Sequence, residues 1–141
     1  MPLKSLGVDH VGVAVADLEK ATTTYRDLLG FEIAGGETLE TRGLAVRFVT
    51  VGDSRIELIA PTRADSEVSR FLAKNGEGLH HVAVRVHDLD AALRDLKARG
   101  AKLIDETPRP GAHQTRVAFV HPKGAHGVLL ELVEHRREPP T

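Results

Sequence analysis

The chain has 141 residues, enough for one compact unit or two small halves sharing a core, and no cysteine, which excludes disulfides, thiolate chemistry and cysteine-bound zinc. Any tightly held metal must therefore sit on nitrogen and oxygen donors. Nineteen basic against twenty acidic residues, a formal charge of -1, argue against a nucleic-acid partner, and the lack of a signal-like N-terminus or of an apolar run near the roughly 20 residues of a membrane span predicts a soluble, cytoplasmic protein with no membrane partner.

In chain order, the alternating, β-branched run Leu6 to Val15 reads as a half-buried strand. Asp17 stands where a helix cap would, and Leu18, Ala21, Tyr25, Leu28 and Leu29 recur at helical spacing until Gly30 stops the helix. Three short strands are expected next, Phe31 to Ala34, Gly43 to Gly52 and Arg55 to Ala60, the last two joined by a turn at Gly52 and Asp53. Ser66 caps a linking helix with apolar Val68, Phe71 and Leu72 and an Asn-Gly stop. The order then starts again: a strand from Leu79 to Val86, the cap Asp88, and a helix through Ala91, Leu93, Leu96 and Ala98 to Gly100. Strands Ala101 to Ile104, Thr115 to His121 and Val128 to Val133 follow, and then a frayed tail.

The second half rewrites the first. VDHVGVAVADL from Val8 aligns with LHHVAVRVHDL from Leu79, setting His10 on His81 and Asp17 on Asp88, while RIELIA aligns with LLELVE and sets Glu57 on Glu131. A βαβββ copy cannot bury its sheet face alone, so the copies must pack together. The expected fold is α+β, with tandem βαβββ modules at about 6–62 and 79–134 and a linking helix near 64–75. These would form one domain, a curled eight-stranded mixed sheet with its helices outside.

Strand alternation puts His10 on one face with Gly12 and Ala14, small residues that leave space above them, and puts His81 with Ala83 and Arg85. Glu57 interrupts Ile56, Leu58 and Ile59, and Glu131 interrupts Leu130 and Leu132; a carboxylate amid such strands is costly to bury unless something pairs it. Taken singly, each of the four reads as an ordinary hydrogen-bonded or solvated residue. Together, one His and one Glu from each copy would converge about the axis between copies, and two imidazoles with two carboxylates suit a divalent first-row ion with open positions. His80 falls on the opposite strand face from His81 and is expected to pack behind it or hydrogen-bond. His87, His113, His121, His126 and His135 are expected to be structural or solvated, with His113 and His121 able to line a mouth. Neither a phosphate-binding glycine fingerprint nor a Ser-His-Asp arrangement is present.

From DHVGVAV through YRDLLGF, IELIAPTRADSEVSRFLAKNGEGLHHVAVRV and LIDETPRPGA to FVHPKGAHGVLLELVE, nearly the whole chain resembles the vicinal-oxygen-chelate superfamily and, within it, the methylmalonyl-CoA epimerases. That resemblance implies His10, His81 and Glu131 as metal ligands, with Glu57 at a fourth ligand position. It implies a divalent cofactor, cobalt first with zinc, nickel or manganese as alternatives, an acyl-CoA substrate and a homodimer. It also implies that Glu131 doubles as the base taking the C2 proton, that the metal stabilises the resulting enolate, and that an acid on the other face returns a proton. Some epimerases carry a glutamate where the run Gly43, Leu44, Ala45, Val46 here ends in valine, and other relatives are apolar there too. Glu37 and Glu40 fall nearby in an expected loop, so water, His113 or another residue is left as that acid.

Two rivals share the scaffold. Glyoxalase I resembles the chain in fold and would use the same ligand set on a glutathione hemithioacetal, although HPKGAHGVLLEL and the LHH pair lean toward the epimerases. Non-catalytic small-molecule binders of the superfamily often lack the metal ligands, so metal content separates them from the enzymes.

Overall fold

The computed structural model describes residues 3–135; segment 136–141, most of the expected frayed tail, lies outside the described residues. The elements are β1 (Ser5–Ala14), α1 (Leu18–Thr23), β2 (Glu32–Leu39), β3 (Leu44–Val51), β4 (Ser54–Pro61), α2 (Glu67–Asn75), β5 (Gly78–Val86), α3 (Leu89–Ala98), β6 (Arg109–Pro110), β7 (Arg116–Val120) and β8 (Leu130–Glu134). The eight strands form a mixed sheet in the order β2-β3-β4-β1-β5-β8-β7-β6. Two compact units are distinguished, His10–His81 and the remainder, with the cuts falling inside β1 and β5.

In the unit His10–His81, β1 runs parallel to β4, β4 antiparallel to β3 and β3 antiparallel to β2. Alternation separates the two faces. Val13, Val15, Val49, Ile56 and Leu58 pack with Leu18, Ala21 and Tyr25 from the α1 segment, and fully burying one such side chain stabilises by about 2 kcal/mol. The opposite face carries His10, Gly12, Glu57 and Phe48, which are neighbours by register. In the other unit, β5 runs parallel to β8, β8 antiparallel to β7 and β7 antiparallel to β6. Leu132 and Ala118 pack on one side with Leu89, Ala92 and Leu93 of α3, while Ala83, Val117, Phe119 and Val133 cluster on the other.

The helix starts follow their caps. Asp17 accepts from Lys20 N and Asp88 from Ala91 N, both at 3.0 Å, and Ser66 accepts from Ser69 N at 3.1 Å, each satisfying an amide with no intrahelical partner. Among the described residues no helix is long and apolar enough to cross a membrane.

Elsewhere local chemistry overrides the pattern. The first helix changes at Thr24 into a π turn, Thr24–Leu28, in which Leu29 N donates to Thr24 O. The hydroxyls of Thr22 and Thr24 donate to the carbonyls of Leu18 and Lys20, a back-bonding that bends helices. Leu28 and Leu29, expected on the packed face, are instead 79% and 54% exposed, because the wider turn rotates them away from it. The strand expected to end at Ala34 continues to Leu39, since a register shift between Ile33 and Gly36 absorbs the glycine pair. Glu37 therefore lies in β2 and Glu40 in a 3-10 turn, Glu40–Arg42, rather than both in a loop. Ala101 to Ile104 makes one isolated bridge, Leu103 to Val120, and the outer strand is instead Arg109–Pro110. Pro108 and Pro110 lack the N–H that a longer ladder would use.

The two environments predict opposite mutational costs. Leu58→Ala should lose about 2–5 kcal/mol in denaturant unfolding, and Leu28→Ala less than about 0.5 kcal/mol. A loss at Leu28 as large as at Leu58 would contradict the π turn.

Candidate metal centre

His10, Glu57 and His81 come together within one unit, and all three are buried, at 4%, 5% and 7% exposure. The two imidazoles meet edge to face, with ring centroids 5.2 Å apart and Nε2 atoms 3.1 Å apart. His10 Nδ1 lies 3.1 Å from Glu57 Oε2, and the Arg55 guanidinium donates to the same oxygen at 2.9 Å. His81 Nδ1 lies 2.9 Å from Nδ1 of His80, whose ring packs edge-on against Phe71 at 4.8 Å. Each ring thus has its Nδ1 engaged and its Nε2 turned toward the other.

The register explains the convergence. Gly12 on β1 stands opposite Glu57 on β4, and Glu57 stands opposite Phe48 on β3, so the three form one row across the sheet. A Cβ on Gly12 would overlap Cε1, Nδ1 and Nε2 of His81, so the missing side chain is what admits that ring. Arg55, two residues before Glu57 on the same strand face, lies over the Phe48 ring at 5.1 Å, which holds its guanidinium beside the carboxylate.

This arrangement fits a divalent cation. A carboxylate on His10 Nδ1 places the proton on that nitrogen and leaves the Nε2 lone pair outward, the usual arrangement around a metal-binding histidine. In the tautomer in which His80 accepts from His81 Nδ1, both Nε2 lone pairs point into the 3.1 Å gap, where a shared cation would bridge them. Two nitrogens about 2.1 Å from one ion and adjacent around it are separated by about 3 Å. The buried His, Glu and Asp side chains are a donor set compatible with a divalent metal ion.

Glu131 occupies the matching row of the other unit. It is 4% exposed on β8, opposite Ala83 on β5 and Phe119 on β7, as Glu57 is opposite Gly12 and Phe48. Arg109 lies over Phe119 at 5.2 Å, repeating the Arg55 and Phe48 pair. Thus the internal repeat extends beyond histidines and glutamates to the aromatic and cationic groups around them.

The remaining histidines sort by environment. His80 does not stand apart behind the sheet but bonds to His81, which the expectation of a hydrogen-bonding role anticipated. His121 Nδ1 accepts from Lys123 N at 3.0 Å and caps a short turn, while His87, His113 and His126 are exposed. His135 bonds to Asp9, a buried acid that the sequence reading passed over because it sits beside His10 and resembles a strand-edge residue. Arg55 was also missed, and its spacing of two from Glu57 was the available signal. Arg116 is committed to Asp90 and Glu134, each at 2.9 Å. Its pKa is raised above the ordinary value, chiefly by the hydrogen bond to Asp90.

Residues 9–119 match the family described as Glyoxalase/Bleomycin resistance protein/Dioxygenase superfamily. The chain is 42% identical to a mitochondrial methylmalonyl-CoA epimerase of Mus musculus, over 93% of this chain and 75% of that protein. It is 39% identical to an ethylmalonyl-CoA/methylmalonyl-CoA epimerase of Cereibacter sphaeroides, over 89% and 95% respectively. Among solved structures, a methylmalonyl-CoA epimerase in complex with methylmalonyl-CoA and NH4+ superposes with a TM-score of 0.91 at 38% identity, covering 97% of this chain and 100% of that one.

Steric access at Gly12 is directly testable. Gly12→Ala should displace the His81 ring and weaken divalent-metal binding by at least about tenfold in isothermal titration, while circular dichroism stays unchanged. Wild-type affinity in this variant would show that Gly12 does not make the space for His81.

Proposed function

We propose that this chain, which belongs to the Glyoxalase/Bleomycin resistance protein/Dioxygenase superfamily and within it to the methylmalonyl-CoA epimerases, interconverts the two C2 epimers of methylmalonyl-CoA. The observation that carries the reading is the pair of buried imidazoles with facing Nε2 atoms and engaged Nδ1 atoms. In this reading His10, His81 and Glu131, all buried, hold a divalent ion, while Glu57, at the fourth position that the resemblance implies, meets Nδ1 of His10. Cobalt is the ion assigned, with zinc, nickel and manganese sharing the same donor preference. The bound ion would act as a Lewis acid toward the oxygens of the substrate, lowering the cost of negative charge there.

The protein's own groups do the rest. The C2 hydrogen of a methylmalonyl thioester lies between two carbonyl carbons, so its removal leaves charge that spreads onto oxygen. Glu131 is the base assigned to it, a carboxylate set among apolar neighbours that exclude water. Arg55, Glu57 and His80 orient the two imidazoles, which limits the reorganisation the site needs when charge develops. The reading includes an acyl-CoA as substrate and a cytoplasmic homodimer as the working form, as the resemblance implies.

Deuterium incorporation at C2 of methylmalonyl-CoA, with cobalt-loaded and metal-stripped protein side by side, tests the reading. Exchange should depend on metal, and absence of exchange in both samples would refute epimerisation. Glu131→Gln should lower turnover by about 10²–10⁴-fold; near-full activity with bound metal would remove Glu131 as the base. His10→Ala and His81→Ala should each lower cobalt stoichiometry by elemental analysis, and an unchanged value would take that histidine out of the site.

A further inference from the structure

The two facing imidazoles are held from behind by different chemistry, and all the groups concerned lie within the unit His10–His81. Nδ1 of His10 meets a carboxylate oxygen, Oε2 of Glu57, at 3.1 Å, whereas Nδ1 of His81 meets another imidazole nitrogen, Nδ1 of His80, at 2.9 Å. Either partner can hold a proton on Nδ1 and leave the lone pair on Nε2. They differ in charge. A carboxylate that accepts from Nδ1 raises the basicity of Nε2, and even with Arg55 sharing it the Glu57 acceptor is an anion. A neutral imidazole offers one lone pair and no charge.

His80 is held in place for this contact. Consecutive strand residues point to opposite faces, so two neighbouring rings meet only if both lean toward the edge of their strand. The His80 ring lies 5.1 Å from that of His81, centroid to centroid, with the two planes at 86°. Phe71 of α2 packs edge-on against His80 at 4.8 Å, so the linking helix supports the ring. The His81 ring in turn fills the space at Gly12, where a Cβ would overlap three of its atoms.

The internal repeat aligns Val8, Asp9 and His10 with Leu79, His80 and His81, so the first copy carries an acid where the second carries His80. Asp9 is committed to His135, and the carboxylate behind His10 comes from Glu57 on β4 instead. The residue type at position 80 therefore decides whether His81 is backed by a charged or a neutral group.

We propose that His80 sets the donor strength of His81. It is a positioning residue that acts through its neighbour: its Nδ1 accepts from His81 Nδ1–H and holds the Nε2 lone pair toward the cation without adding negative charge. His81 is then a weaker donor than an imidazole backed by a carboxylate, and a cation held by it keeps more positive charge for the substrate's oxygens. The inference rests on the metal-binding part of the proposed function and concerns the balance between holding an ion and polarising a substrate.

Three substitutions separate charge from shape. His80→Asn and His80→Asp each put an acceptor oxygen two bonds from Cβ, as Nδ1 is in the native ring, and differ from one another in charge. His80→Ala removes the acceptor. In zinc titrations against a competing chelator, His80→Asp should bind at least about tenfold more tightly than His80→Asn, and His80→Ala at least about tenfold more weakly than His80→Asn. Turnover per bound ion should nevertheless fall in His80→Asp, a split that a loss of fold does not produce. In zinc-loaded wild type with isotope-labelled histidine, NMR should show scalar coupling between Nδ1 of His80 and Nδ1 of His81 through their shared proton. Equal affinities for His80→Asp and His80→Asn, or a wild-type His81 with no proton on Nδ1, would overturn the proposal. If wild type bound no divalent ion, the metal reading would fall and this inference with it. If it bound zinc but epimerised nothing with any ion, the epimerase reading would fall while the order of affinities still decided the role of His80.

Discussion

Glu57 is an ionisable side chain at 5% exposure in the middle of a sheet face, and much of the surrounding structure answers to the cost of holding it there. An unpaired carboxylate in that position would lose several kcal/mol of hydration, about enough to offset much of a domain's net stability. His10 Nδ1 and Arg55 both meet its Oε2, and Phe48 supports the guanidinium from below. In satisfying Glu57, His10 acquires a fixed tautomer and a fixed direction for Nε2. The same contact that makes the burial tolerable thus prepares the nitrogen for a cation.

Duplication of the row gives this arrangement its reach. Gly12, Glu57 and Phe48 in one unit and Ala83, Glu131 and Phe119 in the other occupy equivalent places in their ladders, with Arg55 and Arg109 over the two aromatic rings. The copies are not identical in use. Glu57 is clamped by Arg55, whereas on the other side the strand beyond β7 is cut to Arg109–Pro110 by two prolines. β2, its counterpart in the first half of the chain, runs eight residues. A repeated scaffold has in this way been made asymmetric at its outer strands.

Much of this was legible in the chain itself. The caps Asp17, Ser66 and Asp88 and the alternation through Val11, Val13 and Val15 depend on neighbours two to four residues away, so a local pattern carries them. The failures have local causes that need three dimensions to evaluate. Leu28 and Leu29 keep helical spacing on paper, but threonine hydroxyls bonding back to the helix carbonyls accompany a wider turn that carries them into solvent. Two glycines at 35 and 36 looked like the end of a strand, yet the partner strand β3 holds the chain in register on both sides of them.

The sequence by itself determined the repeat, the α+β class and the identity of the four ionisable residues, since each is written as a residue type at a repeated spacing. Tertiary structure decided which atoms meet and which faces are shared: that Oε2 of Glu57 engages His10 and Arg55, that His80 turns toward His81, and that Glu37 lies on the same sheet face as Glu57. The physical reason is that a strand's own period assigns a side chain to one of two faces and says nothing about the partner strand's register. A hydrogen bond is decided within a few tenths of an ångström by that register. Gly12 illustrates the boundary: its smallness is visible in the sequence, but the His81 ring filling the space appears only once β1 and β5 have folded.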